Sequence, residues 1–547
     1  MGSEQIFEQI LANRGISAEN REAFLNPDYG NQHDPFLLPD MEKAVGRLVE
    51  AHSKQEKITV YGDYDVDGVS AATVILAAFE QFGFKNVDYF LPDRFKDGYG
   101  MNERGVKELA RRGTKLILTV DCGSLNHAEI DFAKNFGIDV IVTDHHNIAE
   151  VQPKAVAVVN PRRPENKYPG AEKFAGVGVA FKLVQALQTR LPGFEKGQEK
   201  WLLDLVALGT VCDVMEQTLE NRQNTFWGLK VLAKTRRAGL KSMLAYAGIS
   251  NISSSTLGFV LGPRINSAGR LESAEIALDL MLETDPFKAL TKAEYLDDLN
   301  KQRRKIQQDA LEIALEKAAE FVDDKVLVVA DESFNDGTIG IVAGNLLEKF
   351  KKPVFVISIE GDLAKGSARS YGGFSASQAV EKARAMIEKG GGHDAAAGVT
   401  LQTENIADFR RVVNEFYDEL GLDLAVELPK LLPKIDIELK DFSPVNLELY
   451  QKIAQLEPFG NGNEEPTFKI VGAKVVARQT MGDKKQHLKL TLSDGAREMK
   501  MLKFNAPEEF LAEVGENVDV IFTLSLNEWQ GYRSVEGQIL HLERKKV

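Results

Sequence analysis

Short apolar segments alternate with helix-like segments through the first half of the chain. Four apolar segments are each closely followed by an acidic residue: Ile58–Val60, Leu116–Val120, Val140–Thr143 and Leu202–Val211. We interpret them as buried strands, and the intervening segment Ala71–Phe82 has the character of a helix. Alternating strands and helices are typical of a parallel sheet covered by helices. The pattern therefore predicts an α/β domain.

The second half shows three further patterns. Phe287–Val322 lacks both Gly and Pro and repeats apolar residues at helical spacing, which predicts one long helix. Val326–Ala330 and Val354–Ser358 flank the helix-like Ile339–Phe350 and predict a second α/β block. After Pro433, five short strand-like runs separated by turn residues predict a small β-barrel. These runs are Val471–Ala477, His487–Leu492, Met499–Phe504, Val518–Leu524 and Val535–Glu543.

The predicted fold class is α/β, with two α/β lobes joined by a long helix and a C-terminal β-barrel. A length of 547 residues suits about three domains and their connections. The predicted segments are an N-terminal helical lead-in (1–40), the first α/β domain (41–285), a connecting helix (286–322), the second α/β domain (323–428) and the barrel (429–547).

Composition and charge narrow the class of protein. A hydrophobic fraction of 44% is ordinary for a globular protein and can fill several cores. No run approaches the ~18 apolar residues of a membrane span, and the N-terminus lacks the apolar core of a signal peptide. Two cysteines in so long a chain exclude a disulfide framework and predict a cytoplasmic protein. The net charge of −14 weighs against tight nonspecific DNA binding, although a local basic groove would suffice.

Acidic and histidine residues follow the predicted strands. Asp63, Asp65 and Asp67 alternate after the first strand, and like charges this close require a cation between them. Because the carboxyl ends of parallel strands meet at one edge, we expect a single cluster there. Its members are Asp63, Asp65, Asp67, Asp121, His145 and Asp213. Carboxylates with imidazole suit manganese or magnesium, and six ligands are enough for two ions that share a bridging carboxylate.

A calcium-binding loop is the alternative interpretation of the first three aspartates. Such a loop needs a glutamate at its twelfth position, and counting from Asp63 reaches Val74. The repeated acidic strand ends favour the two-ion site.

Eight motifs, in order, resemble those of a known enzyme family. Four of them resemble the motifs of the DHH phosphoesterases: DYDVDG (63–68), VDCG (120–123), DHH (144–146) and TVCDV (210–214). Four more resemble the bacterial RecJ exonucleases within that family: GPRINSAGRL (262–271), GSARS (366–370), GGHDAAAG (391–398) and LEPFGNGNEEPTF (456–468). The resemblance runs from about residue 40 to the end of the chain.

The resemblance implies a 5′→3′ exonuclease that acts on single-stranded DNA in repair and recombination. It implies an OB-fold for the barrel, two divalent cations with manganese preferred or magnesium, and single-stranded DNA as a partner. Single-strand-binding protein and a helicase are possible further partners, no membrane is involved, and a monomer is expected.

The resemblance also assigns roles to residues. We expect Asp63, Asp65 and Asp121 around one ion, and Asp67, Asp121, His145 and Asp213 around the other. Asp144 is expected to orient the histidines, and His146 to contact a phosphate. The expected catalytic residues are Asp65, Asp67, Asp121, His145, His146 and Asp213. The expected substrate-binding residues are Arg94, Arg264, Asn266, Arg270, Ser367, Arg369, Gly392 and His393, and we place Arg264, Asn266 and Arg270 in a loop.

Two alternatives remain open. One is a phosphodiesterase for short oligonucleotides or cyclic dinucleotides, and the other is a non-catalytic, RecJ-related DNA-binding protein of replication. The chain departs from the RecJ pattern in having Phe334–Asn335–Asp336 where an aromatic–His pair is usual. We expect this departure to affect contact with the substrate and not the metal motifs.

Overall fold

The computed structural model describes residues 2–422, 433–482, 485–507, 510–529 and 531–545, without the side chain of Trp529. The chain forms two compact units. One comprises Met1–Asn31, Glu216–Thr218 and Lys430–Val547, and the other comprises Gln32–Met215 and Leu219–Pro429. No described helix has both the length and the hydropathy needed to cross a membrane.

The described helices and strands are numbered in chain order. The helices are α1 (Ser3–Asn13), α2 (Arg21–Leu25), α3 (Met41–Lys54), α4 (Val66–Phe82), α5 (Glu103–Arg111), α6 (His127–Lys134), α7 (Gly176–Leu187), α8 (Leu203–Cys212), α9 (Leu219–Leu232), α10 (Ala238–Tyr246), α11 (Gly262–Leu271), α12 (Glu275–Leu282), α13 (Pro286–Glu320), α14 (Ile339–Phe350), α15 (Ala376–Lys382), α16 (Ile406–Glu419) and α17 (Leu447–Ala454). The strands are β1 (Ile58–Tyr61), β2 (Val87–Phe90), β3 (Leu116–Val120), β4 (Asp139–Thr143), β5 (Ala157–Val159), β6 (Leu327–Asp331), β7 (Val354–Glu360), β8 (Leu363–Arg369), β9 (Ile387–Gly392), β10 (Ala396–Gln402), β11 (Ile437–Leu439), β12 (Phe468–Met481), β13 (His487–Ser493), β14 (Glu498–Lys503), β15 (Asn517–Trp529) and β16 (Tyr532–Arg544).

The larger unit begins with a parallel sheet of strand order β2-β1-β3-β4-β5. Every residue of β1 and β3 is buried, as expected for strands covered by helices on both faces. The sheet confirms the α/β prediction and brings the carboxyl ends of β1, β3 and β4 to one edge.

The apolar segment before Asp213 was wrongly predicted as a strand. It forms helix α8, which packs against α4, α7 and α9. Because seven consecutive residues, Leu203–Gly209, are buried, no polar face reveals the helical period.

The predicted long helix is confirmed as α13, a helix of 35 residues. Asp285 caps its N-terminus by accepting hydrogen bonds from the backbone N–H groups of Phe287 and Lys288, at 2.8 and 3.1 Å. Pro286 lies in the first turn, where a missing N–H costs no helical hydrogen bond.

The second sheet of this unit has the order β6-β7-β8-β10-β9. Strands β6 and β7 are parallel, as the helix α14 between them requires, and the remaining pairs are antiparallel. The two strands and the helix predicted from residues 326–358 are confirmed.

The smaller unit contains a closed barrel of five strands, in the order β12-β13-β14-β16-β15, with β15 pairing back to β12. All five predicted strands are present. Helix α1 packs with this unit, and its residues Ile6, Phe7 and Ile10 belong to the same buried core as strands of the barrel.

Candidate metal centre and phosphate-binding site

The loop after β1 is shaped by the start of helix α4. The carboxylate of Asp65 caps the helix by accepting hydrogen bonds from the N–H groups of Asp67 and Gly68, at 2.9 and 3.2 Å. A side chain at Gly68 would lie 2.6 Å from the backbone oxygen of Asp63, so glycine is required there. The helix starts at Val66, five residues before the predicted start at Ala71, and Asp67 therefore lies in its first turn.

The predicted acidic and histidine residues converge at this edge of the first sheet. Three groups have ligand atoms within 4.8 Å of one another: Asp63–Asp65–Asp121, Asp67–His145–Asp213 and Asp121–His145–His146. The Nε2 atom of His145 lies 3.1 Å from Asp121, 3.5 Å from Asp213 and 3.8 Å from Asp67. The structure thus brings all six expected metal ligands together, although Asp213 arrives from the end of a helix.

Helix α7 supports the carboxylate of Asp67 and approaches that of Asp121 closely, and the sequence analysis missed it. The carboxylate of Asp67 accepts hydrogen bonds from the N–H groups of Gly176 and Val177, at 2.6 and 3.0 Å. A side chain at Gly176 would lie 2.5 Å from Asp121, which has a positive φ of 62°. The sequence signal for this contact was the glycine that begins the apolar segment Gly176–Leu187. Without a side chain there, a carboxylate can reach the N-terminus of the helix, which stabilises an anion.

Burial and mutual repulsion disfavour the charged form of these carboxylates. Burial, and then the neighbouring aspartates, raise the pKa of Asp67 to about 7 and that of Asp213 to about 8. The same causes raise the pKa of Asp63 and Asp121 well above the usual value. Burial, and then His146, lower the pKa of His145 to about 3, which leaves a neutral imidazole suited to metal binding.

The residues fit a pair of hard cations. Buried side-chain atoms without a hydrogen-bond partner include Asp63 Oδ1, Asp121 Oδ1, Asp213 Oδ2 and His145 Nε2. A cation would satisfy these atoms and remove the repulsion between the carboxylates. Both cysteine thiols next to the site, Cys122 and Cys212, stay protonated because burial raises their pKa, so the donor set is oxygen and imidazole.

His146 is held differently from His145. Its Nδ1 atom lies 2.9 Å from Asp144 and 2.9 Å from the hydroxyl of Tyr99. Burial lowers the pKa of His146, but the hydrogen bond and charge of Asp144 outweigh it and raise the pKa to about 9. Asp144 also accepts the N–H groups of Ser124, His145 and His146, at 2.9, 2.7 and 3.1 Å. It therefore shapes the loop and orients one histidine ring, and it contacts only the backbone of His145.

Several arginines lie in the larger unit without a carboxylate partner. No carboxylate oxygen lies within ion-pair distance of Arg94, Arg270, Arg303 or Arg369 in the part of the chain that the structure describes. Burial, and then Arg94 and Arg303, lower the pKa of Arg270 to about 10. Arg94 stacks on the ring of Tyr64 at 4.2 Å. Arg303 was not among the predicted substrate-binding residues, because a charged run on a helix is usually solvated.

Ser367 and Arg369 lie on β8, and His393 follows β9. Arg369 donates to the hydroxyl of Ser367 at 3.3 Å and to the backbone oxygen of Ala368 at 2.7 Å. The Nδ1 atom of His393 lies 3.1 Å from the amide of Asn147, one residue after His146. Gly392 is the last residue of β9, with a positive φ of 149°.

Two predicted substrate contacts are engaged within the protein. The segment placed in a loop is helix α11, whose Pro263 is compatible with a first turn. Asn266 accepts the N–H of Val66 at 3.1 Å and so holds the metal loop. Arg264 pairs with Asp297 on α13 at 2.7 Å and donates to the backbone oxygen of Val260.

We expect Arg264→Gln to destabilise the protein without changing end recognition. The side chains of Arg264 and Asp297 are 13% and 8% exposed, so their ion pair is largely buried. In the variant, the remaining ion-pair partner of Asp297 is the exposed Lys301. The free energy of unfolding should fall by about 1–3 kcal/mol, measured by urea unfolding. Arg411→Gln, which breaks exposed pairs with Asp408 and Glu415, should cost less than about 0.5 kcal/mol. A large rise in KM with unchanged stability would instead make Arg264 a substrate contact.

The departure at residues 334–336 has a structural role. Asn335 Oδ1 accepts the N–H of Gly337 at 2.9 Å, and Asp336 pairs with Lys365 at 2.9 Å.

Two aromatic residues of the barrel are exposed and could stack on bases. Phe504 is 55% exposed, with its ring edge against His487, and Tyr532 is 82% exposed. The side chain of Trp529, a third aromatic candidate, lies outside the described residues.

Comparison with family models assigns three parts of the chain. Residues 57–210 match the N-terminal domain of the DHH family, residues 323–419 match the DHHA1 domain, and residues 435–541 match the RecJ OB domain.

Curated relatives cover nearly the whole chain. It is 34% identical to the single-stranded-DNA-specific exonuclease RecJ of Escherichia coli, over 97% of this chain and 94% of that protein. It is 32% identical to the Haemophilus influenzae RecJ, over 93% of this chain and 92% of that protein. The chain belongs to the RecJ family. It spans 65% of the length of the Bacillus subtilis RecJ, to which it is 36% identical.

Solved structures of RecJ share the fold. The Thermus thermophilus RecJ in complex with Mn²⁺ matches with a TM-score of 0.83 and 28% identity, over 99% of this chain and 76% of that chain. The same protein in complex with Mg²⁺ matches with a TM-score of 0.77. The carboxylate and imidazole groups of this RecJ-family chain suit the same two cations.

Proposed function

We propose that this protein is a metal-dependent exonuclease that hydrolyses single-stranded DNA from the 5′ end and releases mononucleotides. The observation that carries the proposal is the buried cluster of carboxylates around His145, in which atoms of Asp63, Asp121, Asp213 and His145 have no hydrogen-bond partner among the described residues. A nuclease must also bind an anionic strand. The guanidinium groups that lack carboxylate partners among the described residues provide a place for it.

The metal ligands are divided between two cations. Asp63, Asp65 and Asp121 hold one, and Asp67, Asp121, His145 and Asp213 hold the other. When bound, the cations polarise the scissile phosphate and lower the pKa of an attacking water molecule. The protein contributes a fixed ligand geometry, because the cap at Asp65 and the N–H groups at the start of α7 hold the carboxylates in place.

His146 contacts the substrate phosphate. In the metal-free protein Asp144 raises the pKa of the ring, which favours its charged form, and Asp144 and Tyr99 engage its Nδ1 atom. The Nε2–H group is then the donor that remains for a phosphate oxygen.

The 5′ end is recognised by the guanidinium groups. Arg94, Ser367 and Arg369 hold the terminal phosphate, as a planar guanidinium matches two phosphate oxygens. Arg94 and Arg369 each act electrostatically on Arg270, which supports a shared anion site. Gly392 and His393 contact the strand nearby, and His393 is linked to the metal side through Asn147.

Each domain has a separate role in the proposed reaction. The DHH domain carries the chemistry, the DHHA1 domain binds the substrate, and the barrel binds single-stranded DNA by stacking on Tyr532 and Phe504. A dinucleotide phosphodiesterase would need neither the barrel nor a 35-residue helix. A non-catalytic relative would lose metal carboxylates, and all are retained here. Cytoplasmic location, a monomeric state, and work with single-strand-binding protein and a helicase in DNA repair and recombination complete the proposal.

Digestion of end-labelled single strands tests the proposal. With manganese, a 5′-labelled strand should release its label as a mononucleotide at once, while a 3′-labelled strand shortens stepwise. EDTA should abolish both reactions, because the ligand set binds hard cations. Duplex of the same sequence is the control and should resist digestion. Full activity in EDTA, or release of the 3′ label first, would contradict the proposal.

A further inference from the structure

The segment that follows Asp213 leaves the larger unit and then returns to it. We call residues 214–219 the strap. Its middle, Glu216–Thr218, belongs to the smaller unit, whereas Met215 and Leu219 belong to the larger one. The strap is therefore a covalent link from the smaller unit to a carboxylate of the metal centre.

A buried ion pair holds the chain just beyond the strap. Glu220 pairs with Lys182 of α7, and their side chains are 6% and 0% exposed. Helix α7 is the helix whose first N–H groups donate to the carboxylate of Asp67. The larger unit thus fixes both ends of the strap, and each end adjoins a support of the metal centre.

Helix α8 ends in a turn that usually contains glycine. The N–H of Met215 donates to the backbone oxygen of Thr210 at 3.1 Å, and the N–H of Val214 donates to that of Val211 at 3.2 Å. This is the Schellman pattern, with Asp213 as the cap and Val214 in the left-handed position that follows it. Val214 has a φ of 57° and is 66% exposed, although β-branched residues avoid this conformation. Such strain persists where the surrounding structure enforces it.

The motif loop, residues 460–463 of the segment LEPFGNGNEEPTF, holds the middle of the strap. The N–H of Gln217 donates to the backbone oxygen of Asn461 at 2.6 Å, and Gln217 is 1% exposed. A Cβ atom at Gly460 would lie 2.8 Å from Cγ of Gln217, and one at Gly462 would lie 3.3 Å from two side chains of the strap. The two glycines therefore let the loop pack directly on the strap.

The motif loop is fixed by its own hydrogen bonds. Gly460 and Asn463 each donate an N–H to the backbone oxygen of the other, at 3.1 Å. The buried amide of Asn463 donates to the backbone oxygens of Leu456 and Pro458, at 2.9 and 2.8 Å, and accepts from Arg14 at 2.6 Å. A loop held in this way can enforce the conformation of the strap that it contacts.

We propose that the motif loop is a positioning element of the metal centre, which acts by holding the strap and thereby the carboxylate of Asp213. If the loop releases the strap, the strained turn at Val214 relaxes, and the carboxylate moves from its place 3.5 Å from His145. Gly460 and Asn461 are then positioning residues that contact neither cation nor substrate. The role of Asp213 as a metal ligand rests on the proposed function.

Gly460→Ala and Gly472→Ala separate this role from a general loss of stability. A methyl group at 460 intrudes on Gln217, whereas one at 472 meets no described atom within 4 Å but strains the same unit, since the φ of Gly472 is 71°. Calorimetric titration with manganese should show at least one binding event weakened by about 10-fold or more in Gly460→Ala, as is typical when support of a metal ligand is lost. Gly472→Ala should stay within about 2-fold of wild type.

Asp213→Asn is the reference variant and should weaken the same binding event. If manganese binding is unchanged in Asp213→Asn, the metal assignment of the proposed function fails, and the inference fails with it. If binding is weakened in Asp213→Asn but not in Gly460→Ala, the inference alone is overturned. Thermal melts in EDTA establish that each variant is folded before it is titrated.

Val214→Gly tests the strained turn. Glycine adopts the left-handed conformation readily, so Asp213 should keep its place even when the loop no longer holds the strap. The double variant Gly460→Ala, Val214→Gly should therefore bind manganese within about 3-fold of wild type. An equal loss of affinity with valine and with glycine at position 214 would overturn the inference.

Hydrogen–deuterium exchange of the wild-type protein gives a measurement that needs no variant. Manganese should slow exchange of the amides of residues 214–218 and, through the strap, those of residues 460–463, because coupling between two sites acts in both directions. Residues 487–493 of the same unit are the control and should be unchanged. Protection confined to the larger unit would overturn the inference.

Discussion

Asp121→Asn is expected to abolish activity and to stabilise the metal-free protein. In the proposed assignment this carboxylate is the ligand shared by both cations, and it lies close to His145 as well as to Asp63 and Asp65, so its loss should disrupt both sites. Metal ions supply several kcal/mol of transition-state stabilisation, and kcat should fall by at least about 1,000-fold. In EDTA the neutral amide removes repulsion from Asp67, Asp65, Asp63 and Asp213, so the melting temperature should rise.

The order of stability should reverse when manganese is added. Only the wild-type protein retains both complete sites, and ligand binding at ~1,000 times Kd stabilises by about 4 kcal/mol. The melting temperatures of both proteins, each measured in EDTA and in manganese, test this reversal. Asp131→Asn, at an exposed aspartate paired with Lys134, is the control and should move neither quantity. An Asp121→Asn protein that melts below wild type in EDTA would rule out the repulsion on which the two-cation assignment rests.

Arg369→Ala should raise KM for 5′-phosphorylated strands by about 10- to 150-fold. Charge-assisted hydrogen bonds contribute ~1.5–3 kcal/mol, and no carboxylate of the described residues pairs with the guanidinium of Arg369 and competes for it. The variant keeps every metal ligand, so kcat at saturating substrate should change little. Steady-state kinetics with 5′-phosphate and 5′-hydroxyl versions of one strand provide the comparison.

Two observations would redirect this assignment. If the wild-type enzyme has the same KM for both strands, it does not recognise the terminal phosphate. If Arg369→Ala raises KM equally for both strands, Arg369 binds the strand at a position other than its 5′ end. Arg411→Ala removes an exposed guanidinium paired with Glu415 and should leave both KM values unchanged.

The metal centre was largely predictable because it depends on topology. Once β1, β3 and β4 are parallel, Asp63, Asp121 and His145 must meet at one edge, whatever the details of packing. Asp213 was expected in the cluster because the segment before it was predicted as a strand, whereas it follows helix α8. That helix is buried on all sides, so its sequence shows no helical periodicity of polar and apolar residues. Proximity to the other ligands came from the packing of α8 against α4, which a single sequence does not encode in any local pattern.

The proposed phosphate-binding residues were harder to predict, because an arginine can either pair with a carboxylate of the protein or bind a ligand. Arg264 and Arg270 lie six residues apart on α11, less than two turns. Arg264 pairs with Asp297, whereas Arg270 has no carboxylate partner among the described residues. The difference depends on the register between α11 and α13, which is set by packing. Arg303 lies on α13, in a charged run of a kind that is usually solvated, and only the packing of the helix shows that this side chain is 9% exposed.

The packing of helix α1 into the barrel core has a consequence for synthesis. Ile6, Phe7 and Ile10 leave the ribosome well before α17 (Leu447–Ala454) and β11 (Ile437–Leu439), which pack against α1 and are made some 430 to 450 residues later. At about 5–20 residues per second, the apolar face of α1 waits roughly 20 seconds or longer for the surface that covers it. The larger unit can complete its core during that interval, so α1 is translated before that core and is still among the last segments to fold. A nascent chain released early would carry that uncovered face, which makes it a ready target for chaperones and proteases.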